Sequence, residues 1–235
     1  GTRELVEIIN DHASASGTTV LKIQQDAAAV GLDIDQNGNK EAITIDSIST
    51  TEGVMTLVGS SVTTGRLADI YSNSSSTGTR DLVRIVNDHT NATNVTVFNV
   101  KNDSTGTIAK FESTDASANA NPVIDLYRNS GSPADNDLLG KVNFTGRNDN
   151  SQDVVYANMF AYNQDVSDGT ENGNVQISTM LAGTLSSFFQ VGAGGTVFNQ
   201  DSKDVDFTVE SNGNTHMIFV DGGSDDVGIG LSNPS

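Results

Sequence analysis

Oxygen-bearing side chains at calcium-loop spacing are the first candidates for chemistry in this sequence. Asp33 and Asp35 open the stretch 33–38 (Asp-Ile-Asp-Gln-Asn-Gly), which matches the first half of a calcium-binding loop. The bidentate acid required at the twelfth position is missing, because Thr44 stands there. Residues 222–226 (Gly-Gly-Ser-Asp-Asp) faintly resemble the Gly/Asp calcium repeats of solenoids, but they occur once. We interpret both stretches as polar turns.

Histidines at equivalent positions of an internal repeat are the second candidates. His12 and His89 each follow Asn-Asp, and three copies of either around a three-fold axis could surround a metal ion. Single histidines after Asn-Asp are more often turn or cap residues, and we predict that role for both. His216 has no recognisable partner in the sequence.

The sequence contains no recognisable set of catalytic residues. The 30 Asp and Glu residues are so abundant that choosing two as a glycosidase acid and base would be arbitrary. There is no Cys for thiol chemistry and no Trp for stacking on sugars. Nucleophile elbows, phosphate loops and dinucleotide fingerprints are also missing. The sequence therefore predicts a protein that is not an enzyme, with no catalytic, cofactor-binding or metal residues and no cofactor.

Charge and composition limit the partners. The 235 residues carry a formal net charge of -18, which would repel nucleic acids and anionic membranes. No apolar run approaches the roughly 20 residues of a membrane span, so membrane insertion is not expected. Hydrophobic residues make up 35% of the chain, which is low for one thick core. Such a composition suits narrow apolar seams.

A duplicated unit organises the first half of the chain. Residues 1–12 (GTRELVEIINDH) and 78–89 (GTRDLVRIVNDH) are identical at 9 of 12 positions, with an offset of 77 residues. Because Gly-Thr-Arg opens both copies, we expect residue 1 to be an arbitrary start within a longer protein. Similarity at a fixed offset is the mark of a repeated structural unit.

Short segments of the form apolar-x-apolar recur within these repeats at intervals of 11 to 15 residues. Period-two alternation is typical of half-buried strands, and each interval has room for one strand and one turn. The middle position is Glu7 in one repeat and Arg84 in the other, which indicates that it faces water. Examples of the segments are Val6-Glu7-Ile8, Leu21-Lys22-Ile23, Leu32-Asp33-Ile34 and Ile43-Thr44-Ile45.

One short strand per interval cannot bury its own apolar side. A single-chain β-solenoid needs two or three strands per coil, and the intervals show no clear two- or three-fold pattern. Three copies wound round a common axis need only one strand each per layer. We therefore favour an all-β, elongated trimeric fibre of short-strand β-helical or β-solenoid repeats. Isolated monomers should not fold stably.

The sequence changes in character after residue 138. Longer strands are predicted at 154–162, 175–180 and 185–191, joined by loops with turn chemistry suited to antiparallel connections. We interpret this part as an inserted antiparallel β-domain, followed by short strands at 205–209 and 217–220. If the segment contacts a receptor, its loops at 147–153 and 165–174 are the expected contact sites.

Several stretches resemble phage tail fibres. Residues 140–146 (GKVNFTG) resemble the opening of a β-domain common in these fibres, and residues 156–161 (YANMFA) resemble one of its strands. Residues 168–173 (DGTENG) resemble its acidic loop. Residues 211–234 are similar to the link that often precedes an intramolecular chaperone in these fibres. No chaperone is recognisable in the sequence up to Ser235. The Gly-Thr-Arg…Asn-Asp-His repeats resemble shaft repeats of marine phage fibres.

This resemblance implies an extracellular structural protein of the virion. It would be a homotrimer that contacts other virion proteins and supports host attachment, with a host surface glycan or protein as a possible receptor. A bacterial trimeric adhesin stalk and a polysaccharide-degrading tailspike are the alternatives, and tail or head attachment is left open. The expected segments are two shaft repeats, the β-domain and a C-terminal link, at residues 1–77, 78–138, 139–200 and 201–235.

Overall fold

The structure, a computed structural model, describes residues 6–12, 14–15, 17–118 and 122–231. The chain divides into two units, Gly1–Lys101 and Asn102–Ser235. The described residues contain β-strands and no helix, and every strand pair is antiparallel. The predicted all-β class is therefore confirmed. The four predicted segments at 1–77, 78–138, 139–200 and 201–235 stay predictions.

Five strands of the second unit form one sheet in sequence order, as an antiparallel meander. The predicted strands at 154–162, 175–180 and 185–191 fall within its second, third and fourth strands, and that prediction is confirmed. The strands are β1 (Leu138–Arg147), β2 (Asp153–Asp165), β3 (Asn172–Leu181), β4 (Thr184–Gly192) and β5 (Gly195–Phe198).

Tight turns set the register of this meander. Between β3 and β4, Ala182 and Gly183 both have positive φ, 46° and 82°. This is the pattern of a two-residue type I′ turn, whose twist matches that of the flanking strands. Successive hairpins of a meander turn at alternate ends. The β1–β2 and β3–β4 connections therefore lie at one end of the sheet, and the β2–β3 and β4–β5 connections lie at the other.

The register separates the two faces of the sheet by chemistry. One cross-strand row pairs Val142 with Met159, Met159 with Ile177, Ile177 with Phe189 and Phe189 with Phe198. Because side chains alternate between faces along a strand, the neighbouring positions form a row on the opposite face. That second row is Lys141, Phe160, Gln176, Gln190 and Val197. We call the first face the apolar face and the second the polar face.

Small amide and hydroxyl side chains are the buried residues of the polar face. Asn158 pairs with Ser178, which pairs with Ser187, and all three are buried. Asn174, on the same face, is only 3% exposed. Gln176 Nε2 donates to Gln190 Oε1 at 2.6 Å. Short side chains, together with the Gln176–Gln190 hydrogen bond, therefore leave this face less exposed than the apolar one.

Three short strands form a second sheet in the order β6-β7-β8. Among the described residues, its Phe219 is the only buried hydrophobic side chain, with the His216 ring edge-on at 5.1 Å. Phe207 in β6 lies 4.8 Å from Phe198, between ring centroids, and so joins the two sheets. The predicted strands at 205–209 and 217–220 are confirmed with slightly different bounds. The strands are β6 (Phe207–Val209), β7 (Ile218–Asp221) and β8 (Asp226–Ile229).

No strand is assigned in the described residues before Leu138. In the part of the chain that the structure describes, a single copy therefore shows neither repeat strands nor a closed solenoid, and the trimeric fibre of short-strand repeats stays a prediction. The reason is that a strand needs the N–H and C=O groups of a neighbouring strand, and the local chain supplies none. Backbone hydrogen bonds there join near neighbours, as in Val62 N–H to the Gly59 carbonyl at 3.2 Å.

Gly222, which follows β7, lies against the backbone of Val205, just before β6, and substitution can test this close approach. A Cβ at Gly222 would lie 2.6 Å from the Val205 carbonyl oxygen, whereas a Cβ at Gly213 would meet nothing within 4 Å. We expect Gly222→Ala to destabilise this sheet by about 1–3 kcal/mol, because backbone atoms must move. Gly213→Ala should change it by less than about 0.5 kcal/mol. The hydrogen-exchange rate of the Phe219 amide, measured in each variant, reports the change in stability. Equal rates in the two variants would contradict the expectation.

Candidate interaction surfaces and turn sites

The first predicted contact loop, between β1 and β2, is closed by its own side chains. Asn148 Oδ1 accepts hydrogen bonds from the backbone N–H groups of Asn150 and Gln152, at 3.1 and 2.9 Å. Arg147 Nε lies 2.9 Å from Asp153 Oδ1 across the strand ends. Both charged side chains are about 69% exposed, so this ion pair contributes little to stability. It presents a paired cation and anion to solvent.

The second predicted contact loop, between β2 and β3, is held by acidic side chains. Asp165 Oδ1 accepts the Ser167 N–H at 2.8 Å, and hydrogen bonding by Ser167 lowers the pKa of the Asp165 carboxyl. Asp135 Oδ1 accepts the Val166 N–H at 3.0 Å. This loop and the β1–β2 loop lie at opposite ends of the meander. The two predicted contact loops therefore cannot form one site within a single copy.

The calcium-like stretch 33–38 has the contacts of a turn. Gln36 Oε1 accepts the Gly38 N–H at 2.8 Å, and the Gly38 carbonyl accepts the Lys40 N–H at 3.0 Å. Asp33 and Asp35 are exposed. Within the part of the chain that the structure describes, no three His, Asp or Glu side chains group as metal ligands. The hydrogen bonds of Gln36 and Gly38 are those of the predicted turn.

His12 and His89 make the same two hydrogen bonds in their respective repeats. In each turn the imidazole Nδ1 accepts the backbone N–H two residues ahead, and the carbonyl accepts the N–H three residues ahead. The distances are 3.2 and 2.9 Å at His12, and 3.3 and 3.0 Å at His89. Nδ1 can accept a hydrogen bond only where it carries no proton. A metal bound at Nε2 of a neutral ring would leave the ring proton on Nδ1 and remove this contact, so the turn contact favours the predicted capping role.

A cleft of about 400 Å³ lies between the β5–β6 connection and the β7–β8 turn. It bears two carboxylates, Asp221 and Asp225, which raises the question of a glycosidase pair. Hydrogen bonds from Ser224 and then Gly223 lower the pKa of Asp221 and keep it ionised. A general acid in such enzymes needs a raised pKa. The hydrogen bonds of Asp221 are those of a turn-closing residue.

Apolar side chains of the repeats lie on the surface of the first unit. Ile43 and Ile45 are 63% and 53% exposed, and Ile85 is 52% exposed. The polar residues between the apolar positions, such as Thr44 and Arg84, are exposed too. One copy therefore leaves both sides of these segments uncovered.

The apolar face of the five-stranded sheet was not identified from the sequence as a surface. Its central residue, Ile177, is 40% exposed, and Phe144 is 60% exposed. The alternation in the pairs Val142/Phe144 and Val175/Ile177 marks which residues share a face. It does not show whether another layer covers that face.

Asp221 gives a pH-dependent test of the β7–β8 turn. Its Oδ1 accepts the Gly223 and Ser224 N–H groups, both at 2.9 Å, and its pKa is lowered from 3.8. A lowered pKa means that its contribution to stability is complete above pH 3.8 and is lost as the pH falls through the folded-state value. We expect the Ser224 amide resonance to titrate with a midpoint below 3.8.

Asp221→Asn is the matched control, because it keeps an accepting Oδ1 and removes the titrating proton. The resonance should then lose this transition while the turn persists at neutral pH. Asp221→Ala should lose the turn both at neutral pH and below pH 3.8. A wild-type midpoint at or above 3.8 would contradict the assignment.

Comparison with known proteins adds no identity to this picture. No family model, curated protein or solved structure matches the chain. The described residues include no helix long and apolar enough to cross a membrane. The resemblance to phage tail fibres stays a prediction, carried by sequence stretches alone.

Proposed function

We propose that this chain is a structural segment of a bacteriophage tail fibre, in which three copies form a rod that supports host attachment. The observation that carries the proposal is the exposure of the apolar repeat positions in a single copy, such as Ile43, Ile45 and Ile85. Fully burying one such side chain is worth about 1.5–3 kcal/mol. A repeat whose apolar side chains stay exposed lacks this stabilisation along its length. It needs an additional surface to fold against.

The accessible surface supports the same reading. One copy has 20424 Å² of accessible surface at a mass of 24.6 kDa. A folded monomer of that mass is expected to expose about 10,000 Å². A stable folded protein would bury this additional surface. We propose that contacts with further chains bury it.

Copies of the same chain are the simplest partners for these repeats. Segments with a common pattern need partners with a common pattern, and identical chains in register provide them at every level. Three is the smallest number of single strands that can enclose an axial apolar core. The polar middle positions, such as Glu7 and Arg84, would then point to water and keep a chain of net charge -18 soluble.

The stretches that resemble tail-fibre sequences give the assembly its biological setting. They favour an extracellular location on the virion and contacts with other virion proteins. The exposed β1–β2 and β2–β3 loops would be available to a host surface glycan or protein. The resemblance, and no contact in the structure, carries this part of the proposal.

Assembly of the purified chain tests the proposal directly. Sedimentation equilibrium should give a mass three times 24.6 kDa, with folded chain and trimer appearing together. Ile85→Glu should lower the Tm by at least about 10 °C, because three uncompensated carboxylates would enter one core layer.

Arg84→Glu is the control, because it places at position 84 the residue found at the equivalent position 7. Its Tm should stay within about 2 °C of the parent, as expected for a surface change. A folded wild-type monomer would overturn the proposal, and so would Ile85→Glu with an unchanged Tm.

Electron microscopy of intact phage particles tests the setting. An antibody raised against this chain should label a filament projecting from the particle. Labelling confined to a bacterial cell surface would favour the adhesin stalk instead.

A further inference from the structure

The five-stranded sheet has an apolar face whose central residues, Met159 and Ile177, are exposed. We infer that this face is a second surface through which copies of this chain pack together, so that the sheets enclose a shared core. The inference rests on the proposed fibre for the number of copies. Its evidence comes from a part of the chain that the repeat argument does not use.

The cross-strand row runs through all five strands without a polar interruption. Val142, Met159, Ile177, Phe189 and Phe198 are consecutive partners in the register. All but Phe189, which is half-buried, are exposed. In a sheet that stood alone, this would be the side expected to lie against a second layer.

The next row repeats the pattern with smaller residues. Gly140, Ala161, Val175, Val191 and Thr196 are consecutive partners across the same five strands. Small residues beside large ones let the side chains of two facing sheets interdigitate. The face is therefore shaped for another sheet.

The lack of charge on these rows favours a copy of the chain as the occupant. Neither row on the apolar face contains a charged residue, although the chain carries a net charge of -18. In the strands of this sheet, Lys141 lies on the polar face, and Arg147, Asp153 and Asp165 lie at strand ends. Like-charged copies repel each other over most of their surface, so a charge-free apolar face is where they can approach.

The area is sufficient for association. Five strands spaced about 4.8 Å apart, each contributing about five consecutive residues at about 3.4 Å per residue, present roughly 400 Å² per copy on one face. Three such faces would bury about 1,200 Å² in total, above the roughly 1,000 Å² expected of a specific interface. A patch of roughly 400 Å² is as large as the largest apolar patch on a typical monomer, about 300–600 Å², and such patches are often functional.

Among the described residues, side chains contact this face at its margins. A Cβ on Gly140 would lie 2.8 Å from the Leu126 Cβ, so Leu126 packs over that corner. At the opposite edge, Phe207 lies 4.8 Å from Phe198. Met159 and Ile177, at the centre, stay exposed.

Cysteine substitution tests which face is covered, because the full chain has no cysteine of its own. Ile177→Cys places a thiol at the centre of the apolar face. Gln176→Cys, the adjacent residue, places one on the opposite face. In the assembled protein, a bulky maleimide should label Cys at position 177 at least about tenfold more slowly than at 176, since position 176 is only half-buried whereas a covered position 177 requires local opening. Denaturation should equalise the rates.

Cross-linking identifies the occupant. A short bismaleimide should join two chains in the Ile177→Cys protein, since facing sheets lie about 10 Å apart. It should not join chains in the Gln176→Cys protein. A cross-link to any other protein cannot form in the purified sample, so a dimer band on a denaturing gel reports a copy.

The outcomes separate this inference from the proposed fibre. A wild-type trimer with fast labelling and no cross-link at position 177 overturns the inference and leaves the fibre standing. Preferential cross-linking at 176 assigns the interface to the polar face and also overturns it. A folded wild-type monomer overturns both. If Ile177→Cys prevents folding, Met159→Cys in the same row serves instead, with Lys141→Cys, at an exposed position of the polar face, as its control.

Discussion

Pairing of backbone hydrogen-bonding groups is the constraint on which the rest of this structure depends. A strand exists only where a second strand offers its N–H and C=O groups, and burying those groups unpaired costs more than leaving them in water. From Leu138 onward the chain folds back on itself and meets this need through hairpins. In the described residues before that point, alternating segments pair with no strand of the same copy.

The same constraint explains an unusual distribution of burial. In the five-stranded sheet, the buried side chains belong to Asn158, Asn174, Ser178 and their neighbours, while Met159 and Ile177 are exposed. The backbone of the sheet is satisfied within the chain, but its apolar face is not. Backbone pairing and apolar burial therefore have different partners here, the first within one copy and the second, in our proposal, between copies.

Local side-chain contacts stabilise the turns without help from a core. His12 and His89 cap equivalent turns with the same pair of hydrogen bonds, 77 residues apart. Asn148 and Asp221 close hairpin connections by accepting backbone N–H groups ahead of them. Side-chain oxygen and nitrogen acceptors of this kind favour turns wherever they occur. These His, Asn and Asp side chains, whose chemistry would also suit metal ligands, thus stabilise turns here.

Sequence by itself determined the β class, the long strands around Met159, Ile177 and Phe189, and the turn character of residues 33–38. These depend on side-chain alternation and turn chemistry, which act over a few residues. Only tertiary structure decided that the β1–β2 and β2–β3 loops lie at opposite ends, and that the apolar row through Ile177 is open. Those properties depend on cross-strand register and on what covers a face, which involve residues distant in sequence.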